Sequence, residues 1–555
     1  MTRHPQISFP PSPPKSPKLN GIRVQIPENP VLMEAFQWHA PGDHKHWKRL
    51  QAALPSLSAI GITDLWLPPG SKGKDAESNG YDIYDAWDLG EFDQKGTIPT
   101  KWGTKQDLVN LAVNGRHYGI GLMWDAILNH RAFADETETV KVVEVDPRSM
   151  NISFLSAILC LIDSQLPDRN EDITEPFDIT AWSKFNFEGR NGKYSTFKFN
   201  KKHFNGTDWD QRTEKRSIYR FVEDGKDWAQ DVGKLQGNAD YLMLENIDYT
   251  SAEVVVDTTR WGEWIVEELG LSGFRLDAVQ HYSWNFADKW TQHLKRTSPN
   301  ELLCVGEFWN GDVNVLLEWM ENVSPDFKLY DVPLMYRLAR LSSFEDTDLR
   351  AVFHDTLVQR KPNSAVTFLR NHDTQKGQDM DTPIAYSFTP HTHSLLLLRQ
   401  DGHPCIFFGD LYGISSGPCL EPPTCYGRLP GLILARKLYA YGPQTDYFER
   451  SDRIGWTRAG TETHPDGMAV ILSWIQGEDW ESTMPSIKMS VGIDHAGELW
   501  TDVLGFEWSA VVIDDEGWGR FPCQKNGMAC FVNEVAKGRE QFPVRFNTDF
   551  QSLVL

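Results

Sequence analysis

The sequence predicts an α/β protein whose main domain is a (β/α)8 barrel, the TIM-barrel fold. Two observations carry this prediction. Short apolar stretches of strand length alternate with helical patterns along much of the 555 residues, which is typical of parallel βα units. Several of these stretches also end in a carboxylate, and in such barrels the carboxyl ends of the strands form the active face. A chain of this length is expected to hold two or three domains.

The first part of the barrel is predicted in residues 28–130. Strands are expected at residues 31–38, 62–67 and 122–128. A helical pattern follows the first strand, because apolar residues recur there at the spacing of one helix face. These apolar residues are Trp47, Leu50, Ala53, Leu54 and Leu57.

The second part of the barrel is predicted in residues 255–445. Helical patterns such as residues 252–269 separate the apolar stretches there, so that the total reaches eight strands with intervening helices. The expected strands are residues 273–277, 303–307, 329–332, 365–369 and 404–409.

Two further domains and a leader complete the predicted organisation. Residues 131–254 are too long for a plain loop and should form an inserted domain with its own strands. Residues 446–555 read as short alternating segments, which predicts a C-terminal antiparallel β-sandwich. Residues 1–27 are rich in Pro, Ser and Lys and are expected to be disordered. An apolar stretch at about 149–167 fits no element, and our hypothesis is a translated intron or a recent insertion.

The composition limits the partners. The net charge is −22, with 55 basic and 77 acidic residues, which argues against nucleic acid and anionic membranes as partners. Seven cysteines at irregular spacing give no disulfide or metal pattern. The N-terminal residues lack the apolar run of a secretory signal. We therefore expect a cytoplasmic protein and a monomer.

Charged residues at the predicted strand ends suggest a catalytic site. The stretch G-F-R-L-D-A-V-Q-H at 273–281 places Arg275 and Asp277 on one face of a strand. An arginine can keep a neighbouring carboxylate ionised, which a nucleophilic aspartate needs. A structural ion pair explains this stretch about equally well when it is taken alone.

Three other stretches repeat the pattern and favour a catalytic site. L-L-C-V-G-E-F-W-N at 302–310 ends a strand in Glu307. A-V-T-F-L-R-N-H-D-T-Q at 365–375 runs into His372 and Asp373, and G-I-G-L-M-W-D-A-I-L-N-H at 119–130 contains Asp125 and His130. Four strands that each deliver a carboxylate to one face make a structural ion pair a poor explanation.

In this order, the four stretches resemble the signature regions of the α-amylase family, glycoside hydrolase family 13. Segments such as D-L-G-E-F-D-Q-K-G-T at 88–97 and H-F-N-G-T-D-W-D at 203–210 are most similar to liquefying bacterial and intracellular fungal α-amylases. The likeness covers residues 28–538. It implies a retaining mechanism in which Asp277 is the nucleophile, Glu307 the acid/base and Asp373 a group that binds and distorts the sugar, with the Asp277 and Glu307 carboxyls about 5 Å apart.

The resemblance also implies the residues that contact substrate. Tyr81 would stack under the sugar, although a tyrosine packed in a loop is the alternative. The other implied contacts are His130, Arg275, Gln280, His281, Trp309 and His372. Gln280 replaces a lysine that contacts acceptor sugars in relatives, and Arg370 stands where amylases usually carry an acid. Both changes leave open whether water or a second glucan is the preferred acceptor.

A calcium site is implied less strongly. Its ligands would be Asn129, Asp240, Asn246 and the main-chain carbonyl of His281, because a hard cation needs several oxygen ligands. Asn246 stands where relatives carry Asp, and further relatives' carboxylates are replaced by Asn205, Ala229 and Thr250. We expect one calcium ion at most, which would join domain B to the barrel.

Three functions are consistent with these residues. The first is an α-amylase that hydrolyses internal α-1,4-glucosidic bonds of starch-type or glycogen-type glucans and maltooligosaccharides. The second is a 4-α-glucanotransferase that acts on maltooligosaccharides. The third is an inactive glucan-binding scaffold, since fold does not dictate function, but the complete carboxylate set argues against it.

Overall fold

The computed structural model describes residues 28–145, 169–235, 237–476 and 484–554. The predicted leader at 1–27 and the apolar stretch at 149–167 lie outside the described residues. The remaining predictions concern three regions, which are the barrel, the inserted domain and the C-terminal sheets.

Eight parallel strands form a closed barrel, as the sequence predicts. Each strand pairs with its neighbours in the chain, and the eighth pairs with the first. In chain order the barrel strands are Leu32–Glu34, Asp64–Trp66, Gly121–Ala126, Gly273–Leu276, Leu303–Gly306, Lys328–Tyr330, Ala365–Phe368 and His403–Phe407.

Helices follow the barrel strands and cover the barrel with their apolar faces. Helix Ala252–Leu269 buries Val255, Ile265 and Leu269 and ends at Gly270, whose φ of 61° is left-handed, as is common after the last helical residue. The helices are His46–Ile60, Lys105–His117, Ala252–Leu269, Trp284–Thr297, Val313–Met320, Val332–Ser342, Leu357–Arg360, Thr389–Leu397, Phe408–Tyr412 and Leu429–Tyr439.

Close packing of the fourth and fifth strands depends on a glycine. A Cβ atom on Gly273 would lie 2.1 Å from the carbonyl oxygen of Leu303. Any side chain here would push the two strands apart. This contact matters for function because these two strands deliver Asp277 and Glu307.

The inserted domain, domain B, is a six-stranded sheet between the third and fourth barrel strands. All its pairings are antiparallel, which confirms an insertion with strands of its own. Its boundaries at 131 and 254 remain predictions. Its strands are His130–Arg131, Glu136–Val145, Phe177–Lys184, Phe204–Asp210, Lys215–Phe221 and Glu245–Ile247.

The C-terminal region contains two antiparallel sheets that share one core. Met489 and Phe521 from the smaller sheet belong to the same buried apolar cluster as Ile471 and Trp500 from the larger sheet. This packing confirms the predicted β-sandwich. The larger sheet contains Gln444–Arg450, Arg453–Arg458, Met468–Ser473, Leu499–Asp502, Ala510–Val512 and Met528–Asn533, and the smaller contains Ser486–Ser490 and Trp518–Pro522. Among the described residues, no helix has the length and apolarity needed to cross a membrane.

Candidate active site

Arg275 lies at the centre of the candidate site and contacts three carboxylates. Its Nη1 atom donates to Asp125 Oδ1 at 2.7 Å and to Asp277 Oδ1 at 2.6 Å. Its Nη2 atom lies 2.6 Å from Glu307 Oε2. The arginine side chain is fully buried. We call these four residues the ionic cluster.

Parallel register brings the ionic cluster together. Arg275 pairs with Asp125 across the fourth and third barrel strands. Asp277 and Glu307 follow the ends of the fourth and fifth strands, whose residues also pair in register. The backbone then turns through Ala278, which has a left-handed φ of 47° and whose N–H donates to Glu307 Oε2 at 3.3 Å. The predicted face of carboxylates therefore forms because neighbouring strands end at one level.

The three carboxylates of the ionic cluster keep Arg275 charged. Burial alone lowers the pKa of Arg275, but Asp125, Glu307 and Asp277 outweigh burial and raise that pKa well above its usual value. Burial raises the pKa of Asp125, while Arg275 opposes the rise. Taking a lone charge out of water costs several kcal/mol, so each partner of this cluster depends on the others.

Asp373 completes the set of three predicted catalytic carboxylates. It follows the seventh barrel strand, and its side chain remains 30% exposed, which leaves it open to a ligand. Burial, followed by the charge of Glu307, raises the pKa of its carboxyl, and Arg275 opposes this rise. Since the charges of both Glu307 and Asp277 act on the pKa of Asp373, Asp373 lies near these two carboxylates.

A row of aromatic rings borders the carboxylates. Tyr81 stacks on His372 with ring centroids 5.0 Å apart and on Trp38 at 5.9 Å. Its hydroxyl donates to Asp125 Oδ2 at 2.8 Å. Tyr81 is therefore fixed beside the ionic cluster and does not simply pack in a remote loop. A flat, half-buried ring in this position can stack against a sugar.

The remaining predicted contact residues differ in whether their hydrogen-bonding atoms already have partners in the protein. Gln280 is buried, and its Oε1 atom, which is closed off from solvent, has no hydrogen-bond partner among the described residues. Trp309 is half-buried and donates to the Tyr336 hydroxyl at 2.9 Å. His281 Nδ1 lies 2.6 Å from the Ala239 carbonyl. His130 Nε2 lies 2.8 Å from the Tyr81 carbonyl, so its nearest partner is the protein itself.

Arg370 does not alter the charge of the site in the way the sequence suggested. Its guanidinium donates to Asp410 Oδ1 at 2.6 Å and to Glu421 Oε2 at 2.7 Å. The arginine and Asp410 are both buried. The pairing ties the end of the seventh strand to the segment after the eighth strand. Arg370 therefore adds no unbalanced charge near the carboxylates.

The predicted calcium ligands meet in a chain of amide hydrogen bonds, which we call the amide cluster. Asn129 Nδ2 donates to the His281 carbonyl at 2.8 Å and to Asn246 Oδ1 at 3.0 Å. Asn246 Nδ2 donates to Asn205 Oδ1 at 2.8 Å, and Asn205 Nδ2 donates to Asp240 Oδ2 at 2.6 Å. The cluster joins both domains, since Asn205 and Asn246 lie in domain B strands.

This arrangement does not fit a calcium ion as it stands. Calcium takes six to eight oxygen ligands, whereas three of the four candidate oxygens already accept bonds from side-chain amide N–H groups. These are Asn246 Oδ1, the His281 carbonyl and Asp240 Oδ2. Asp240 is the one carboxylate of the cluster, and burial raises its pKa to about 7. Across the described ranges, no group of three or more His, Cys, Asp and Glu is arranged to hold a metal. The calcium prediction gains no support from this geometry.

Sequence reasoning missed two residues of the site, Trp66 and Glu34, and the contacts of a third, Asp125. Asp125 was recognised at a strand end, but its contacts with Arg275 and Tyr81 were not foreseen. Trp66 donates to Asp125 Oδ2 at 2.9 Å, and its ring faces the Arg275 guanidinium at 4.9 Å. Glu34 lies 2.6 Å from His372 Nδ1. The signal for Glu34 was a lone carboxylate inside the apolar run of residues 31–36.

A (β/α)8 barrel with two strand-end carboxylates on one arginine and a third beside them is the arrangement of a glycosidase. The family comparison agrees, because the model of the alpha-amylase catalytic domain matches residues 36–425. The chain belongs to the alpha-amylase family and is a glycosidase.

Individual relatives and structures support this assignment. The alpha-amylase of Bacillus licheniformis is 38% identical over 506 residues, which cover 91% of this chain and 93% of the relative. The cytoplasmic alpha-amylase of Escherichia coli (strain K12) is 34% identical over 517 residues, covering 91% and 99%. The crystal structure of an Anoxybacillus alpha-amylase has a TM-score of 0.56 at 14% identity, covers 91% of this chain and 98% of its own, and supports the fold.

Proposed function

We propose that the protein is an α-amylase that hydrolyses internal α-1,4-glucosidic bonds of starch-type or glycogen-type glucans and of maltooligosaccharides, with retention of the anomeric configuration. The observation that carries the proposal is the binding of Asp277 and Glu307 by the two terminal nitrogens of one guanidinium. Two carboxylates held on one planar group lie close together, as a retaining pair requires, at roughly 5 Å.

The first half of the reaction uses both carboxylates. Asp277 attacks the anomeric carbon while the bond from that carbon to the leaving oxygen breaks. Glu307 gives its proton to the leaving oxygen, so that one part of the glucan departs as an alcohol. The other part stays bound to Asp277 as a covalent ester. Arg275 orients the attacking carboxylate through the bond from its Nη1 atom.

The second half restores the enzyme. Glu307 takes a proton from water, whose oxygen attacks the anomeric carbon and releases Asp277. Asp373 binds hydroxyls of the sugar and favours its distortion towards the transition state. Tyr81 supports the proposal because its fixed ring offers a stacking face beside the reacting carbon.

A second candidate is transfer to another glucan, so that the protein acts as a 4-α-glucanotransferase. One observation favours it, the unpartnered Gln280 Oε1 atom. Gln280 follows Asp277 by three residues on the acceptor side that the family resemblance indicates. A second sugar that donates a hydroxyl there would compete with water for the covalent intermediate. An inactive scaffold is the weakest candidate, because three buried carboxylates around a single guanidinium are costly to keep without chemistry.

The test is a digest of maltopentaose with the purified protein and with the Asp277→Asn variant. Hydrolysis gives only shorter oligosaccharides, whereas transfer also gives products longer than five sugars. The variant should lose at least about 10³-fold in rate, because it lacks the nucleophile. If neither protein gives products from maltopentaose or from starch, the glycosidase proposal for α-1,4-glucans is wrong.

We also propose that the protein works in the cytoplasm. The six described cysteines are free, and five of them are buried, which suits a reducing compartment. A relative with 34% identity is the cytoplasmic enzyme of Escherichia coli. Cell fractionation with an antibody to the chain tests this proposal, and recovery from the culture medium would contradict it.

A further inference from the structure

His372, which stacks on Tyr81 in the site, is bound from behind by a buried carboxylate. His372 Nδ1 lies 2.6 Å from Glu34 Oε1, and its backbone N–H donates to the same oxygen at 3.3 Å. Both side chains are 1% exposed. On the opposite side of the ring, His372 Nε2 lies 3.4 Å from Asp373 Oδ2. Glu34, His372 and Asp373 thus form a line from the first barrel strand to the sugar site.

Because Glu34 and His372 are both buried, the charge of the Glu34 carboxyl depends strongly on its bond to His372. Burial raises the pKa of Glu34 to about 7 although the bond to His372 lowers it. Its second oxygen, Oε2, has no hydrogen-bond partner among the described residues, so His372 is the main partner of the carboxylate.

Four other ionisable groups near the pair keep one charge state. Arg275 from the fourth strand stays charged. Burial raises the pKa of Tyr330 from the sixth strand, of Cys405 from the eighth and of Tyr81 from the loop after the second, so these three stay neutral. The nearby carboxyls differ, because burial raises the pKa of Glu34 to about 7, of Asp373 to about 8 and of Asp125 to about 7.

Whether the Glu34–His372 pair carries one extra proton decides whether His372 Nε2 donates or accepts a hydrogen bond in the site. If the proton lies on His372, the ring is an imidazolium and both nitrogens donate. If it lies on Glu34, the acid donates to Nδ1, and the neutral ring carries its hydrogen on Nε2. Nε2 therefore donates towards Asp373 in both forms. When the pair loses this proton, the Nδ1–H group of His372 faces the Glu34 carboxylate. Nε2 then becomes an acceptor, and it faces the Asp373 carboxylate, which is an acceptor as well.

We propose that Glu34 is a positioning residue that acts through His372 and keeps a donor hydrogen on Nε2, beside Asp373 and the sugar that it binds. The proposal rests on the glycosidase function and assigns a role to a strand-one residue that does not touch the substrate. Glu34 favours the extra proton on the pair because the ionised carboxylate compensates a positive charge on the buried ring of His372. His372 can then donate to Asp373 or to a sugar hydroxyl at neutral pH.

The Glu34→Gln variant should remove the acid proton and the negative charge of Glu34 without changing the shape of the side chain. The Oε1 position receives N–H groups from the backbone and from Nδ1, so the amide oxygen must take that place. The amide cannot supply the proton that an acid supplies, and it does not compensate a charged ring. His372 then keeps its hydrogen on Nδ1, and Nε2 is bare at neutral pH.

The test is the pH profile of kcat/KM for maltopentaose with the wild type and Glu34→Gln. We expect the alkaline limb to move to lower pH by at least about one unit, since removal of an adjacent opposite charge shifts a pKa by one to three units. The variant should lose about tenfold or more above neutral pH and approach the wild type in acid, where the ring takes up its own proton. A uniform loss at every pH would show a packing role only and would overturn the inference.

A matched control is Asp64→Asn on the neighbouring second strand. Asp64 is also a buried carboxylate, which accepts from Ser272 Oγ at 2.7 Å, but it begins its strand at the opposite end of the barrel. This variant should keep the shape of the wild-type profile. If the wild type cleaves nothing, the function itself is wrong. If it cleaves but Glu34→Gln keeps the wild-type limb, only the present inference is wrong.

A measurement on the wild type covers the case in which Glu34→Gln does not fold. The ¹⁵N resonances of a histidine ring report which nitrogen carries a proton, and the His372→Gln variant identifies the signals. We expect a protonated Nε2 in the wild type at pH 7. A bare Nε2 at that pH would overturn the inference.

Discussion

The ionic cluster and the amide cluster are two buried polar networks built on the same pair of barrel strands. They differ in the interactions that stabilise their buried polar atoms. Asn129 and His281 each come four residues after a carboxylate of the ionic cluster, Asp125 and Asp277. The ionic cluster gathers three carboxylates around the one guanidinium of Arg275, whereas the amide cluster joins three asparagines, a main-chain carbonyl and one carboxylate through amide hydrogen bonds. Most of the buried charge therefore lies in the ionic cluster of the candidate active site, and little of it lies in the amide cluster, where domain B joins the barrel.

The largest effect should come from removing the centre of the ionic cluster with Arg275→Met. Three carboxylates would then lose their common partner. Breaking a buried charge pair from one side costs about 3–5 kcal/mol of folding free energy, and we expect hydrolysis to fall by at least about 10³-fold as Asp277 loses the guanidinium that orients it. Chemical denaturation and initial rates on maltopentaose measure the two effects.

The control for that prediction is Arg190→Met. Arg190 Nε lies 2.8 Å from Asp85 Oδ2, with both side chains 1% exposed, so it is also a buried ion pair but outside the ionic cluster. It should lose similar stability and keep kcat within about tenfold of the wild type. Equal loss of activity in both variants would mean that burial of charge, rather than the catalytic site, explains the result.

The next largest effect is expected for Glu307→Gln, which keeps the contacts of the ionic cluster but removes the proton donor. General acid catalysis contributes about 10²–10⁴-fold, so hydrolysis of maltopentaose should fall within that range. An α-maltosyl fluoride needs no proton on its leaving group, and its first step should be much less affected. Burst kinetics with both substrates measure this difference, and equal losses would contradict the role of acid.

An intermediate effect is expected in the amide cluster for Asp240→Asn. The pKa of Asp240 is raised from 3.8 to about 7 in the folded protein. Its favourable contribution is therefore complete below pH 4 and lost as the pH rises through 7. Relative to the wild type, the variant should gain stability over that interval, on the order of a few kcal/mol. Denaturant unfolding at pH 4, 6 and 8 measures the difference.

The effect of calcium on stability is a second test of the amide cluster. We expect neither calcium nor a chelator to shift the unfolding temperature of the wild type at pH 8 by more than a degree or two. In Asn246→Asp a second carboxylate would face Asp240, so the variant should be destabilised with chelator and recover with calcium. A large chelator effect on the wild type itself would restore the sequence-based prediction of a calcium ion.

The sequence was sufficient for the barrel, the inserted sheet and the face that carries the carboxylates. Strand patterns and ordered motifs are local, and parallel strands in register must bring their ends together. Three-dimensional partners were not predictable in the same way. Arg370 is paired with Asp410 and Glu421, and Glu34 of the first strand meets His372 after the seventh strand. Both contacts join residues far apart in the chain. Amide orientation in the amide cluster also depends on its neighbours.

The smallest effect is expected for Gln280→Ala, which asks whether a neutral polar group at the edge of the ionic cluster binds the acceptor sugar. Removing one hydrogen bond to a ligand costs about 0.5–1.5 kcal/mol, so KM for maltopentaose should rise by several fold while kcat changes little. If Gln280 holds an acceptor glucan, the ratio of transfer to hydrolysis should fall as well. Product sizes at high substrate concentration measure that ratio. An unchanged ratio with an unchanged KM would leave the buried Oε1 atom without a role in binding sugar, and would place the acceptor elsewhere on the active face.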